Sequence, residues 1–154
     1  MTTLRSLCIM LLLLSTTGCL KQIPADPNQT FQRVQGHELR VGVTYEDELI
    51  EGEEHDASGP LAELVETFGQ QHDAHITWVW GSEESLIKRL QHHQLDLIVG
   101  GFTSETPWSD RVAVTRGYPE IPSSDGRDIV MLVPMGENRM LFELETFLDA
   151  ELLP

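Results

Sequence analysis

The sequence has few cysteines, few basic residues and few aromatic side chains. Of its 154 residues two are Cys, and Lys and Arg number 10 against 25 Asp and Glu, for a formal net charge of −15. Cys8 and Cys19 both lie near the N-terminus, so the rest of the chain cannot form an internal disulfide. The shortage of basic residues argues against nucleic acid as a partner, because phosphate binding needs positive charge.

Motifs of catalysis are also missing. The chain contains no Gly-x-Ser-x-Gly, no phosphate-binding loop and no His-Glu-x-x-His, so we expect a protein that is not an enzyme. The acidic run 46–56 offers carboxylate oxygens of the kind that hard cations bind, but it matches no EF-hand loop. The histidines have no recognisable metal-ligand spacing. We therefore expect neither metal nor cofactor, and we interpret 46–56 as a solvated acidic loop.

The N-terminal region has the pattern of an export signal. Residues 7–14 are apolar, too short a run to span a bilayer, and the small residues 15–18 follow them. Small residues directly before Cys19 resemble the bacterial lipobox. We predict that residues 1–18 are a lipoprotein signal peptide and that Cys19 carries a lipid on the periplasmic side of a bacterial envelope. Leu20, which is not Asp, favours the outer over the inner membrane. The alternative is an ordinary secretory signal.

The remaining chain divides into a tether over 19–37 and a domain over 38–154. Pro, Asn and Gln with little apolar periodicity predict the tether. Apolar periodicity in the domain predicts strands at 38–44, 76–80, 95–99, 111–115 and 129–133, and helices at 60–69, 83–93 and 137–148. The order β-α-β-α-β predicts a mostly parallel sheet with right-handed crossovers. We expect an α/β fold, a single three-layer lobe whose sheet of about five strands is flanked by helices.

Five segments of the domain are collinear with a known family. They are Leu39-Arg40-Val41-Gly42-Val43, Leu86-Ile87, the run from Leu95 to Thr103, the run from Arg111 to Thr115, and Tyr118. Their order and spacing resemble the first lobe of the type 2 periplasmic solute-binding proteins, the group that includes the amino-acid receptors of ABC importers. The resemblance implies a periplasmic binding protein-like II fold. Residues 128–148 resemble the segment that completes this lobe, with 117–128 standing where the second lobe is inserted, so the second lobe is expected to be absent.

The predicted ligand site lies outside the carboxyl ends of the strands, where open parallel sheets bind ligands. This rule and the resemblance select Thr44, Tyr45, Trp80, Glu83, Gly100, Gly101, Thr103, Trp108 and Arg111. Gly100 and Gly101 would let a ligand approach the backbone closely. Thr103 matches a family position that often carries a ligand-contacting hydroxyl. The alternative is that the two glycines serve only a turn.

The site departs from the pattern of the amino-acid receptors. Trp108 stands where these receptors often have an Arg that grips the carboxylate of the ligand, and Glu83 stands where an aromatic ring commonly stacks. Three aromatic residues, Tyr45, Trp80 and Trp108, together with nearby carboxylates suit a cationic ligand instead. The alternative for the tryptophans is packing in the core or at its rim.

Two functions follow from these observations. The first is a lipid-anchored protein resembling the substrate-binding component of an ABC-type importer, which binds a small amine-bearing or amino-acid-like solute weakly because one jaw is missing. Its partners would be the solute, a membrane transporter and the membrane itself. The alternative is an interaction or sensing module whose half-site is covered by an envelope protein or by a second copy in a homodimer. A polar site favours the first, and an apolar patch favours the second.

Overall fold

Nine helices and strands follow one another along residues 25–153, which are the residues described by the computed structural model. In chain order they are α1 (Thr30–Val34), β1 (Glu38–Val43), α2 (Pro60–Gln71), β2 (His75–Trp80), α3 (Glu83–Gln91), β3 (Leu97–Val99), β4 (Ala113–Val114), β5 (Leu132–Val133) and α4 (Asn138–Leu152). The predicted signal peptide and Cys19 lie outside the described residues.

The five strands form one sheet in the order β2-β1-β3-β5-β4. Strand β1 runs parallel to β2, from Glu38 opposite His75 to Val43 opposite Trp80, and parallel to β3 on its other side. Strand β5 is antiparallel to both β3 and β4. The expected α/β lobe with a parallel central sheet is confirmed, and the antiparallel pairs form one margin. Because β1 and β3 are parallel neighbours, their carboxyl ends meet at one edge of the sheet.

Side chains of the sheet alternate between two apolar layers. Val41 and Val43 are fully buried in a cluster that includes residues of α1, α2 and α4, whereas Ile98 and Leu132 are buried with residues of α3. This alternation is the period-two pattern of a strand covered on both faces. Full burial of each large apolar side chain contributes about 1.5–3 kcal/mol to folding.

Helix α1 lies inside the predicted tether. Phe31 and Val34 are buried in the core, and Nη2 of Arg33 lies 2.8 Å from Oδ1 of Asp96. The backbone N–H of Asn28 also donates to Glu137, across 2.9 Å. The prediction of a tether over 19–37 is therefore wrong for residues 25–37, because these residues pack on the lobe. Two apolar residues one turn apart are too short a pattern to reveal such a helix from the sequence.

Within residues 25–153, no helix is both long enough and apolar enough to cross a membrane.

Candidate functional site

The ends of β1 and β3 are held together at two glycines. The backbone N–H of Thr44 donates to the carbonyl of Val99 across 3.1 Å, which extends the parallel pairing past β1. A Cβ at Gly100 would overlap the Thr44 hydroxyl, and a Cβ at Gly101 would overlap the Glu46 carboxylate. The sequence reasoning expected these glycines to admit a ligand, and in this structure they admit side chains of the same chain.

Glu46 is carried to this edge by an apolar anchor in the acidic loop. Leu49 and Ile50 are fully buried, and the backbone N–H of Ile50 donates to the carbonyl of Glu46 across 2.9 Å. The resulting turn directs the Glu46 side chain inward over Gly101, with one third of its surface exposed. The interpretation of 46–56 as a solvated loop is therefore wrong at Glu46, although Glu48, Glu51 and Asp56 are exposed.

Glu46 forms an ion pair with Arg127, from the segment between β4 and β5. Nη1 of Arg127 lies 2.8 Å from Oε1 of Glu46, and the Arg127 side chain is 38% exposed. The two residues are 81 positions apart in the sequence. The pair therefore places one carboxylate and one guanidinium, both partly exposed, at the carboxyl edge of the sheet.

Thr103 is brought close to the same place. It pairs with Ile129 in an antiparallel bridge, and the backbone N–H of Ser104 donates to the carbonyl of Asp128 across 3.1 Å. The segment that carries Arg127 is thereby attached to the chain leaving β3. We call Glu46, Gly101, Thr103 and Arg127 the strand-end cluster.

A second group of predicted residues gathers at the start of α3. Nε1 of Trp108 donates to Oε2 of Glu83 across 2.9 Å. The guanidinium of Arg111 lies 5.2 Å from the centre of the Trp108 ring, and its Nη2 donates to Gln91. The face of Trp108 that a cationic ligand could use is thus covered by a cation of the chain itself.

The expected aromatic surface of Tyr45, Trp80 and Trp108 does not form. Trp80 packs against the core cluster of α2 and α4, and its Nε1 donates to the carbonyl of Asp56, whereas Trp108 packs against the cluster of α3. Tyr45 is 63% exposed, and the carboxylates of Asp47 and Glu51 raise its pKa. The reason is the strand period, which assigns Trp80 to the α2 face of the sheet.

Two open grooves lie elsewhere on the lobe. One of about 590 Å³ follows the outer edge of β2, lined by Glu54, His55 and the residues from Thr77 to Trp80. The other, of about 380 Å³, lies near the start of β1, beside Arg33 and Arg40. Among residues 25–153 no group of three or more His, Cys, Asp or Glu side chains is arranged to hold a metal ion.

Sequence reasoning missed Glu46 and Arg127 as site residues. Glu46 is one of many acids in its loop, and only the apolar pair Leu49 and Ile50 signals that part of the loop is buried. Arg127 is the sole basic residue between Arg116 and Arg139, which is the signal that could have drawn attention to it. Their meeting depends on how β5 pairs with β3, which the sequence pattern does not specify.

Comparison with protein-family models gives no match, and comparison with curated protein sequences gives none either. Solved structures do match. The arginine-bound form of domain 1 from TmArgBP is 18% identical with a TM-score of 0.65, and the match covers 82% of this chain and 99% of that chain. A substrate-binding protein of an ABC uptake transporter from Streptococcus pneumoniae, with bound histidine, is 14% identical with a TM-score of 0.51, over 58% of this chain and 38% of that one.

An ancestral cyclohexadienyl dehydratase also matches, at 19% identity and a TM-score of 0.50, over 63% of this chain and 40% of that one. These likenesses show the fold: the described residues have the architecture of one lobe of a solute-binding protein, as the sequence resemblance implied. Most of the neighbours are binding proteins, and the dehydratase shows that the same architecture also serves an enzyme.

Proposed function

We propose that this protein is a single-lobe solute-binding protein of the cell envelope, which takes a small amine-bearing or amino-acid-like solute at the carboxyl ends of β1 and β3. The observation that carries the proposal is the Glu46 carboxylate, which lies over Gly101 at this edge and remains one third exposed. A partly desolvated carboxylate binds an ammonium or guanidinium group by a charge-assisted hydrogen bond. Thr103, half-buried on the chain leaving β3 and bridged to Ile129, adds a hydroxyl to the strand-end cluster.

The related fold supports the proposal. Domain 1 of TmArgBP is described in its arginine-bound form, which indicates that an isolated lobe of this architecture can hold a cationic amino acid. The strand-end cluster of this chain is polar rather than apolar. Its character therefore favours a solute over a docked protein as the occupant, although an envelope protein or a second copy remains the alternative.

We expect the affinity to be weak. Two-lobed receptors bury their ligand by closing one lobe on the other, and residues 25–153 supply one lobe. Lipidation of Cys19 would compensate by holding the protein at a membrane, where the effective concentration toward a transporter is high. In this proposal the chain serves an ABC-type importer and catalyses no reaction.

Thermal melting of the full-length chain with a panel of amino acids, polyamines and neutral or anionic solutes tests the proposal. A solute that binds only the folded state raises the melting temperature. We expect millimolar amine-bearing solutes to raise it, and Glu46→Gln to abolish the effect. Glu53→Gln, at an exposed position of the same loop, is the matched control and should respond like the wild type. If no solute in the panel shifts the melting temperature, the proposal fails.

A further inference from the structure

The segment between β4 and β5 holds Arg127 in a defined position. The buried Ser124 donates its hydroxyl to the carbonyl of Pro119 across 2.7 Å and accepts the backbone N–H of Gly126 across 3.2 Å. The carbonyl of Ser124 accepts both the backbone N–H and Nε of Arg127, each across 3.0 Å. The guanidinium is therefore oriented by its own turn before it meets any other part of the lobe.

This oriented guanidinium lies on the carboxylate that a solute would need. Nη1 of Arg127 lies 2.8 Å from Oε1 of Glu46, while Oε2 of the same carboxylate lies over Gly101. Arg111 makes a similar contact in the separate group near the start of α3, since its guanidinium covers the ring of Trp108. The Glu46 carboxylate and the Trp108 ring, which lie in separate groups, are thus each already in contact with a guanidinium group of the chain.

We propose that Arg127 is an internal cap of the solute site, which a cationic solute must displace from Glu46 in order to bind. The proposal rests on the proposed function, because it concerns the same carboxylate. Partly exposed ion pairs are weak, so a solute can displace Arg127. The cap therefore lowers the affinity for the solute without preventing its binding. The segment 117–128 would then contribute a guanidinium that competes with the solute for Glu46, instead of a second lobe that closes over the solute.

Titration of the full-length chain with agmatine and with L-arginine tests the cap. Agmatine carries a guanidinium and an amine without a carboxylate, whereas L-arginine adds a carboxylate that Arg127 could attract. We expect Arg127→Gln to bind both probes about fivefold more tightly than the wild type, the factor that corresponds to the upper range of an exposed ion pair. The double variant Glu46→Gln with Arg127→Gln should lose the binding.

Arg116→Gln is the matched control. Arg116 forms a comparable ion pair with Asp149, with 2.6 Å between Nη2 and Oδ2, and its side chain is 56% exposed. Its partner belongs to α4 rather than to the strand-end cluster. The dissociation constants of this variant for both probes should equal those of the wild type.

A second measurement uses the unaltered chain. In an NMR titration with agmatine, the Arg127 Nη1–H resonances should shift with the same dissociation constant as the Gly101 amide, because binding breaks the contact of Nη1 with Glu46. If the Arg127 resonances do not shift while the shift of the Gly101 amide saturates, the proposal of a cap is overturned.

Other outcomes separate the two proposals. Unchanged or weaker binding of agmatine by Arg127→Gln, or no binding of either probe to that variant, overturns the cap. A weaker affinity for L-arginine alone would make Arg127 a contact for the carboxylate of the solute and equally overturns it. In each case the proposed function survives if the wild type still responds to some solute of the melting panel, and it fails separately if none gives a response.

Discussion

Oδ1 of Asp96 lies 2.8 Å from Nη2 of Arg40, and the side chain of Asp96 has no exposed surface. Oδ2 accepts the backbone N–H of Arg40 across 3.0 Å, and Arg33 of α1 approaches the same carboxylate. Burial alone would raise the pKa of Asp96, but the hydrogen bonds from Arg40 and Arg33 outweigh it and hold the pKa below 3.8. This network closes the end of the sheet opposite to the strand-end cluster.

The first prediction concerns this network. Asp96→Asn removes the negative charge that two partly exposed guanidinium groups face, and we expect the free energy of unfolding to fall by about 1.5–3 kcal/mol, measured by urea denaturation. Glu84→Gln removes the exposed pair with Lys88 and should lower the free energy of unfolding far less than Asp96→Asn does. Because the pKa of Asp96 is lowered on folding, the wild type should lose this stabilisation as the pH falls below 3.8. A similar loss in both variants would contradict the account.

The second prediction concerns helix α1. Phe31→Ala removes a ring that is 1% exposed, and we expect a loss of about 3–5 kcal/mol in the free energy of unfolding. Phe142→Ala, on α4, alters a side chain that is 53% exposed and should change stability by less than about 0.5 kcal/mol. Equal and small effects of the two variants, measured by chemical denaturation, would show that residues 25–37 are a tether after all.

The third prediction concerns the pair of Asp26 and Glu137. Burial and the neighbouring Glu137 carboxylate raise the pKa of Asp26 from 3.8 to about 6, and Oδ1 of Asp26 has no hydrogen-bond partner among residues 25–153. A raised pKa means that the folded protein binds this proton more tightly than the unfolded chain does. The contribution of Asp26 to the free energy of unfolding therefore falls as the pH rises from 3.8 to about 6. Asp26→Asn keeps an acceptor for the N–H of Phe31 and a donor toward Glu137.

Melting temperatures between pH 3 and pH 8 measure the effect. We expect the Asp26→Asn variant to gain stability relative to the wild type as the pH rises through this interval, and to keep the gain above it. Asp110→Asn, at an exposed position, is the control and should follow the wild-type profile. A constant difference between Asp26→Asn and the wild type at every pH would refute the assignment.

The fourth prediction concerns Gly101. A methyl group at this position overlaps the Glu46 carboxylate, which lies at the end of a flexible side chain and can turn away. We expect Gly101→Ala to fold with a loss of at most about 1 kcal/mol but to lose the response to amine-bearing solutes. Gly81→Ala is the control, because its new methyl group would lie 3.3 Å from Leu86 and would have no atom of Glu46 within 4 Å. If Gly101→Ala responds to amine-bearing solutes as fully as the wild type does, Glu46 is not part of the solute site.

The sequence predicts the layers of this fold better than its site. Alternating residues such as Val41 and Val43 and the helical spacing of Leu61, Val65 and Phe68 predict β1 and α2 because burial imposes a period on the chain. The short strands β4 and β5 are less regular, since each has two residues and depends on its neighbours for pairing. The resemblance to the solute-binding lobe is confirmed at the level of fold.

The residues of the site could be identified only in part from the sequence, because two of them meet through tertiary contacts. Thr44, Gly100 and Gly101 follow strands, so the edge on which they lie could be predicted. Glu46 and Arg127 meet only through two irregular segments, one anchored by Leu49 and Ile50 and the other by Ser124. Such contacts leave no hydrophobic periodicity in the sequence, and the acidic composition of the first segment predicted a solvated loop. The roles of Cys19 and of the predicted signal peptide stay predictions.

The most direct test of the central claim is an NMR titration of the isotope-labelled full-length chain with L-arginine. We predict saturable shifts concentrated in the amides of Glu46, Gly101 and Thr103 at the carboxyl ends of β1 and β3. Saturable shifts confined to another surface, or no shifts at millimolar concentration of L-arginine and of other amine-bearing solutes, would contradict it.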